Sequence, residues 1–353
     1  MAFSIINKTK ISLIAAAVPK NIVYTKDYDW ISETERIQLI NTTGIVQRRN
    51  AEKDVCASDL AVGLCSQIFS NSGIDKNEID ILVFVSQSRD YILPNTACIL
   101  QNRLGLSKQC IAFDVPLGCS GYTYGLSIIS SMISAASGSI RKGLLIAGDV
   151  SSADMNYRDK STFPLFGDAI SVTIIDYDQV NSMPTCNNLQ TDGSGYDSLI
   201  IPDGAARNKF SNETLIDQEF SNGIWRNGKN VYLDGLKIFE FTIAEVADNI
   251  TELLKKVSLS IENVDYYFLH QANKLMNETI RKQLRVKPDY VPYSLNEFGN
   301  TSSASIPLTI VCRAGNDIQN KTCVLAGFGV GLSWCSSLLK FSNTVEVLPL
   351  LEL

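Results

Sequence analysis

The segment CIAFDVPLGCSGYTYGLSIISSMISAASG, residues 110–138, holds a cysteine where a nucleophile could work. An apolar strand runs up to Pro116, and Gly118, Cys119, Ser120 and Gly121 follow. The next residues are small or apolar on nearly every side as far as Gly138. A helix without a polar face is a buried helix. Cys119 is therefore expected at a strand-to-helix turn, near a buried helix N-terminus whose dipole favours a thiolate and lowers the thiol pKa. Its flanking glycines permit a sharp turn and close approach of a substrate, and its own amide could donate to an oxyanion. His270, in DYYFLHQAN (265–273), is the only histidine of the chain. It stands at the end of an apolar strand, where α/β proteins place site residues, and is the one imidazole available for chemistry near pH 7. Asn300, in NEFGNTSSASIPL (296–308), follows Gly299 and precedes a Ser/Thr-rich turn opening a helix. Each residue taken alone also has a structural reading: a small buried hydrophobe, a satisfied core histidine, and an N-cap or turn asparagine.

A fourth segment, LAGFGVGLSW (325–334), superficially suggests a nucleotide-binding loop. It leads into another strand pattern, SWCSSLLKF, and no βαβ unit with a distal acid follows, so a dinucleotide site is disfavoured. Glycines joining two strands point instead to backbone amides exposed to a ligand.

The elements that must position these residues alternate. Apolar runs such as ISLIAAAV, DILVFVSQ, CIAFDV, GLLIAGDV, SVTIIDY and YYFLHQ are short, and several are continuous, as in strands buried on both faces. Helical patterns lie between them, in CASDLAVGLCSQIFSNSG and FEFTIAEVADNITELLKKVS. This alternation predicts α/β layers. Residues 74–84, IDKNEIDILVF, echo residues 259–269, LSIENVDYYFL. The echo is what an internal duplication would leave, with one half at 1–178 and the other at 179–353. The stretch 184–230 is rich in Gly, Asn, Asp and Ser and reads as a loop-rich linker.

The chain has 353 residues and a net charge of −6, which argues against general nucleic-acid binding. Nine cysteines, an odd number with no C-x-x-C spacing, predict neither a disulfide framework nor a metal site. They fit a reducing, cytoplasmic setting. The apolar stretch Ile11–Val18 stops at Pro19 and Lys20 and reads as a strand, not a signal peptide. No run approaches the roughly 18 apolar residues of a membrane helix.

Cys119 in GCSG, His270 in HQAN, Asn300 in FGNTSSASIP and the closing GFGVGLSW occur together and in order. With FGD (166–168) and YLDGLKIFEF (232–241), the chain resembles β-ketoacyl-acyl carrier protein synthase III from TGI (43–45) nearly to the C-terminus. The resemblance implies a thiolase fold: two duplicated βαβαβαββ halves in a five-layered αβαβα arrangement, as a homodimer, with no cofactor. It implies that Cys119 takes an acyl group from a thioester, an acyl-coenzyme A or an acyl carrier, while the amides of Cys119 and Gly331 hold the oxyanion. His270 and Asn300 would stabilise the enolate from a decarboxylating malonyl thioester on acyl carrier protein. It places Leu93, Lys160 and Asn273 at the substrate, and a basic carrier-docking face at Lys274, Arg281, Lys282 and Arg285.

The departures from that pattern are specific. No aromatic occurs in ERIQLINTTGI, where the family carries a tryptophan for the coenzyme A adenine. Thr42 and Lys160 replace family arginines, and Leu93 replaces a phenylalanine. These changes point away from coenzyme A and acetyl primers and towards a specialised pathway. An alternative activity is acyl transfer from Cys119 to an alcohol or amine in a secondary-metabolite or polysaccharide pathway. Relatives of that type often carry an acid at the Asn300 position. A non-catalytic partner subunit would be expected to lose one of the three residues, and all three are present. A papain-like protease lacks its C-G-S-C-W signature here.

Overall fold

In the computed structural model, which describes residues 2–220 and 223–353, the apolar runs form two sheets. The first has the order Thr9–Val18, Ala169–Tyr177, Lys142–Asp149, Ile81–Val85, Ile111–Val115. Ile81–Val85 is buried along its whole length and pairs in parallel with both neighbours, which explains its unbroken apolar sequence. The second sheet runs Ala2–Ile6, Thr185–Thr191, Ser333–Lys340, Thr322–Gly329, Tyr266–Leu269.

Side-chain alternation builds the layers. In the strand Ile81–Val85, Val83 and Val85 face the middle of the molecule. There they meet Tyr122, Leu126 and Ile129 of the helix Gly121–Ala135, and Ile306 of the helix Ser305–Thr309. Leu82 and Phe84 face outward onto Leu60, Leu64 and Leu100 of the helices Ala57–Asn71 and Thr96–Arg103. In the second sheet Cys323 and Leu325 face the middle, whereas Val324 and Ala326 meet Ile250 and Ile280 of the outer helices Gly235–Lys256 and Lys274–Gln283. The result is helix, sheet, helix, sheet, helix.

The first half has the expected βαβαβαββ order. The second lacks the third strand of that order: between the helix Lys274–Gln283 and the Asn300 segment, Pro288–Tyr290 makes a 3-10 turn and only the short helix Leu295–Phe298 follows. Pro288 and Pro292 each remove a backbone donor, which disfavours a ladder there. The halves also exchange ends. Ala2–Ile6 pairs with Thr185–Thr191 of the second sheet, and Glu346–Val347 and Leu351–Glu352 pair with Thr9–Val18 of the first. The 184–230 stretch is less irregular than its composition predicts. Thr185–Thr191 is a full sheet strand, and Gln218–Phe220 pairs with Ile224–Arg226. Its polar residues Asn187 and Asn188 are buried and bonded, to Ser337 and Asn249 respectively, so polarity did not mean exposure. Among the described residues, no helix is long and apolar enough to cross a membrane.

Candidate active site

Cys119 is buried in a tight turn, closed by the Gly121 amide on the Gly118 carbonyl at 2.7 Å, immediately before the helix Gly121–Ala135. Its sulfur lies against the end of the strand Thr322–Gly329. A Cβ on Gly329 would stand 2.6 Å from the Cys119 Cβ and 2.9 Å from Sγ, so only glycine admits the Cys119 side chain here. The amides that reach Sγ are those of Val330 and Cys119 itself. The expected second amide, at Gly331, is therefore displaced by one residue. Past Gly329 the chain turns, the Val330 N–H faces the sulfur, and the Val330 carbonyl turns away to accept the Ser333 hydroxyl at 2.9 Å.

Burial pushes the Cys119 thiol up to about 11, outweighing the Val330 amide that favours the thiolate; the nearby Asp149 charge adds to the rise. This reverses the expected lowering, because the helix end is sealed from water. Only the thiolate is nucleophilic. Below a raised pKa the thiolate fraction grows about tenfold per pH unit, so alkylation of Cys119 by iodoacetamide should keep rising steeply from pH 7 to 9. A plateau reached below pH 8 would show that the site holds the thiolate instead.

His270 ends the strand Tyr266–Leu269, its amide donating to the Ala326 carbonyl at 2.8 Å. The ring is 1% exposed and lies edge-on to Phe328, with ring centroids 5.5 Å apart. Nδ1 is 2.7 Å from the Ser305 hydroxyl. Burial pushes the imidazole down to about 3, with the Ser302 carbonyl partly opposing, so the ring is neutral near pH 7. Gln271 locks the segment: its Nε2 donates to Leu269, and its Oε1 accepts from the Ser294 and Leu295 amides.

Asn300 is held by the FGD segment. Its amide donates to the Leu165 carbonyl at 2.9 Å, and its carbonyl accepts from the Gly167 amide at 3.0 Å. Its Oδ1 accepts the Ser302 amide at 3.0 Å, which leaves the Nδ2 group as the donor available to the cavity. Gly299 has φ 66° and ψ −154°, a conformation essentially closed to other residues, and a Cβ there would meet the Leu165 carbonyl at 2.7 Å. Gly299→Ala should destabilise the fold by about 2–3 kcal/mol in urea unfolding; a change within experimental error would show that the turn relaxes.

Cys119, His270, Asn300 and Gly329 line one cavity of about 180 Å³, closed otherwise by apolar side chains such as Leu165, Phe166, Leu199 and Ile238. Asn273 lines it too, with Oδ1 spent on capping the next helix through the Met276 amide at 2.9 Å. A neutral donor pair facing a buried thiol in an apolar chamber suits chemistry in which charge develops on a carbonyl oxygen.

The description 3-oxoacyl-[acyl-carrier-protein] synthase III matches residues 113–193, and its C-terminal part matches residues 254–341. A β-ketoacyl-[acyl-carrier-protein] synthase III of Lactococcus lactis subsp. cremoris is 32% identical over 335 residues, covering 94% of this chain and 98% of the relative. The chain belongs to the 3-oxoacyl-[acyl-carrier-protein] synthase III family. A solved 3-oxoacyl-(acyl-carrier protein) synthase from Burkholderia xenovorans superposes with a TM-score of 0.91 at 29% identity, covering 99% of both chains. A solved 3-oxoacyl-(acyl-carrier-protein) synthase III gives 0.88 at 31% identity, covering 95% of this chain and 100% of its own. The thiolase fold and membership of a condensing acyltransferase family follow.

Within this family frame, two of the expected substrate positions, Leu93 and Lys160, fall outside the cavity. Leu93 is 81% exposed on a loop and does not line the cavity of its own chain. Lys160 pairs with Glu35 at 2.9 Å, and its neighbour Ser161 reaches the cavity instead. Arg281 is not a free docking charge. Its guanidinium grips Glu278 through Nε and Nη2 and donates through Nη1 to the Val286 carbonyl at 2.6 Å. Arg285 lies beyond the helix end, with φ 56°, while Lys274, Lys282 and Arg285 remain exposed. Helical spacing alone put Arg281 beside Lys274, but Glu278, one turn away, captures it. Val330, Gln271 and Ser305 escaped the sequence reading. The neighbouring HQAN and SSAS motifs held the only signal for the last two.

Proposed function

We propose that this protein is a 3-oxoacyl-[acyl-carrier-protein] synthase III that loads an acyl group on Cys119 and condenses it with a malonyl group on acyl carrier protein. The observation that carries the reading is the convergence of Cys119, neutral His270 and the free Asn300 amide group on one apolar cavity. In the first step the Cys119 Sγ–acyl bond forms, the donor C–S bond breaks, and the donor leaves as its thiol with the Cys119 proton. The Cys119 and Val330 amides face the developing oxyanion. In the second, the malonyl carboxylate leaves as carbon dioxide. The electron pair passes to an enolate whose oxygen receives hydrogen bonds from His270 and Asn300. The enolate carbon attacks the acyl-Cys119 carbonyl, the C–Sγ bond breaks, and the sulfur regains a proton from solvent. Intact-protein mass spectrometry with acyl-coenzyme A and acyl-carrier thioesters tests the loading. Carbon dioxide release tests the condensation, and product formation without it would favour transfer to an alcohol or amine.

Carrier docking is assigned to Lys274 and Lys282, the exposed cations of the helix that starts beside Asn273. Reversing both, Lys274→Glu with Lys282→Glu, should raise KM for malonyl-carrier several-fold and spare a small thioester mimic, with the difference shrinking at high salt. Equal loss with both substrates would remove the docking role. The protein is further assigned to the cytoplasm, a setting that suits nine unpaired cysteines, and to a homodimer. Exposed Tyr91, Ile92 and Leu93 support the dimer, and a substrate contact by Leu93 would require a second copy. Sedimentation velocity at micromolar protein tests the dimer, and a monomer would refute it.

A further inference from the structure

His270 is the only histidine of the chain, and its neutral ring carries a single hydrogen shared between two nitrogens. The proposed condensation needs that hydrogen on the nitrogen facing the enolate. Which nitrogen holds it is set by the partner of the other one. Nδ1 lies 2.7 Å from the Ser305 hydroxyl. Ser305 is 1% exposed at the start of the helix Ser305–Thr309 and does not line the catalytic cavity, whereas His270 does. Nδ1 is thus turned into the protein, and Nε2 is the nitrogen left for the cavity.

The Ser305 hydroxyl can donate or accept, but its surroundings leave one arrangement in which every group is used. Among the described residues Nδ1 is its one hydrogen-bond partner. With the ring hydrogen on Nδ1, the hydroxyl would accept it, and its own hydrogen would stay buried without an acceptor, a state that native proteins avoid. Nε2 would then present a lone pair to the cavity and repel a developing oxyanion. With the ring hydrogen on Nε2, the hydroxyl donates to Nδ1 and nothing is left unpaired. The Ser302 carbonyl, which also faces the ring, only accepts and so cannot supply a hydrogen to a bare nitrogen. The Ser305 backbone is pinned as well. Its carbonyl accepts the Thr309 hydroxyl at 2.7 Å, and Thr309 in turn accepts the hydroxyl of Ser294, whose amide is bound by Gln271 beside the histidine.

We infer that Ser305 is a positioning residue for the condensation: its hydroxyl donates to His270 Nδ1 and so keeps the ring hydrogen on Nε2, aimed at the enolate oxygen. A hydroxyl suits this task because it fixes the hydrogen without adding a charge. A carboxylate in its place would draw the hydrogen to Nδ1 and favour the charged ring. The inference rests on the proposed enolate role of His270 and adds the group that makes the ring a donor there.

A single histidine makes the test direct. The full chain, free of any histidine tag, is prepared with isotopically labelled histidine. Long-range proton–nitrogen correlation spectra at pH 7 then show which ring nitrogen carries the hydrogen, because Nε2 couples to both ring carbon protons and Nδ1 chiefly to one. The native enzyme should carry it on Nε2. Ser305→Ala should release it to both nitrogens, keep acyl-Cys119 formation, and lower carbon dioxide release about 10–100-fold, the usual cost of deleting a group that orients an imidazole from behind. Ser305→Thr, which keeps the hydroxyl, should restore the native spectrum and most of the rate. A hydrogen on Nδ1 in the native enzyme would overturn the inference. So would a Ser305→Ala spectrum identical to the native one, which would assign any loss of rate to packing. A released hydrogen with undiminished carbon dioxide release would instead bring down the enolate role of His270 on which the inference depends.

Discussion

Replacing Cys119 by alanine should abolish acyl-enzyme formation, a loss of about 10^4-fold or more in any thioester-dependent turnover. No other cysteine is placed to substitute. Among the described residues Cys119 is the one cysteine lining the catalytic cavity. Cys65 and Cys335 are sealed in the core, where burial pushes each thiol up to about 12. Cys98 is exposed and does not line the catalytic cavity, so any adduct there should be slow and indifferent to acyl structure. The substitution removes one sulfur and should leave the thermal midpoint close to that of the native protein. Peptide mapping decides the matter. An adduct on Cys98 or Cys110 in the native enzyme, persisting undiminished in Cys119→Ala, would refute the assignment.

His270→Ala and Asn300→Ala should each retain acyl-Cys119 yet lose about 10^2–10^3-fold in carbon dioxide release from malonyl-carrier. Each deletion removes one donor from the oxygen that becomes negative as the carboxylate departs. Asn300→Asp should be at least as damaging as the alanine. It keeps the shape and the acceptor to the Ser302 amide, but it replaces the donor by a negative charge facing the enolate. The pH dependence carries further information about His270. Its pKa is depressed to about 3 by burial, so the imidazole is essentially all neutral across the range in which the enzyme would be assayed. Decarboxylation on preloaded enzyme should therefore show no inflection from His270 between pH 5.5 and 8. A rate that changes with an apparent pKa near 6.5 and loses that inflection in His270→Ala would show a ring that titrates at its ordinary value. Unchanged carbon dioxide release in both alanine variants would contradict the enolate mechanism altogether.

The order of glycines, the only histidine, and the unbroken apolar strands were enough to locate Cys119, His270 and Asn300 at strand ends and turns. That worked because strand periodicity, helix burial and turn chemistry are local, and each is written in a run of ten or twenty residues. What lay outside such runs was decided by tertiary contact. The amide that faces the sulfur belongs to Val330 because a distant strand end swings against the Cys119 turn, and residue counting within GFGVG could not separate Val330 from Gly331. Composition marked 184–230 as loop, yet Thr185–Thr191 completes a sheet because Ser333–Lys340 and Ala2–Ile6 supply its partners. Arg281 has the spacing of a docking residue, but Glu278 takes its charge. The helix start promised an activated thiolate. Packing the same helix between two sheets excluded the water that would have stabilised the charge, and burial outweighs the Val330 and Cys119 amides that favour the thiolate. Sequence thus determined which side chains are available for chemistry, while the fold decided which backbone amides, charges and cavities surround them, because those neighbours come from segments far apart in the chain.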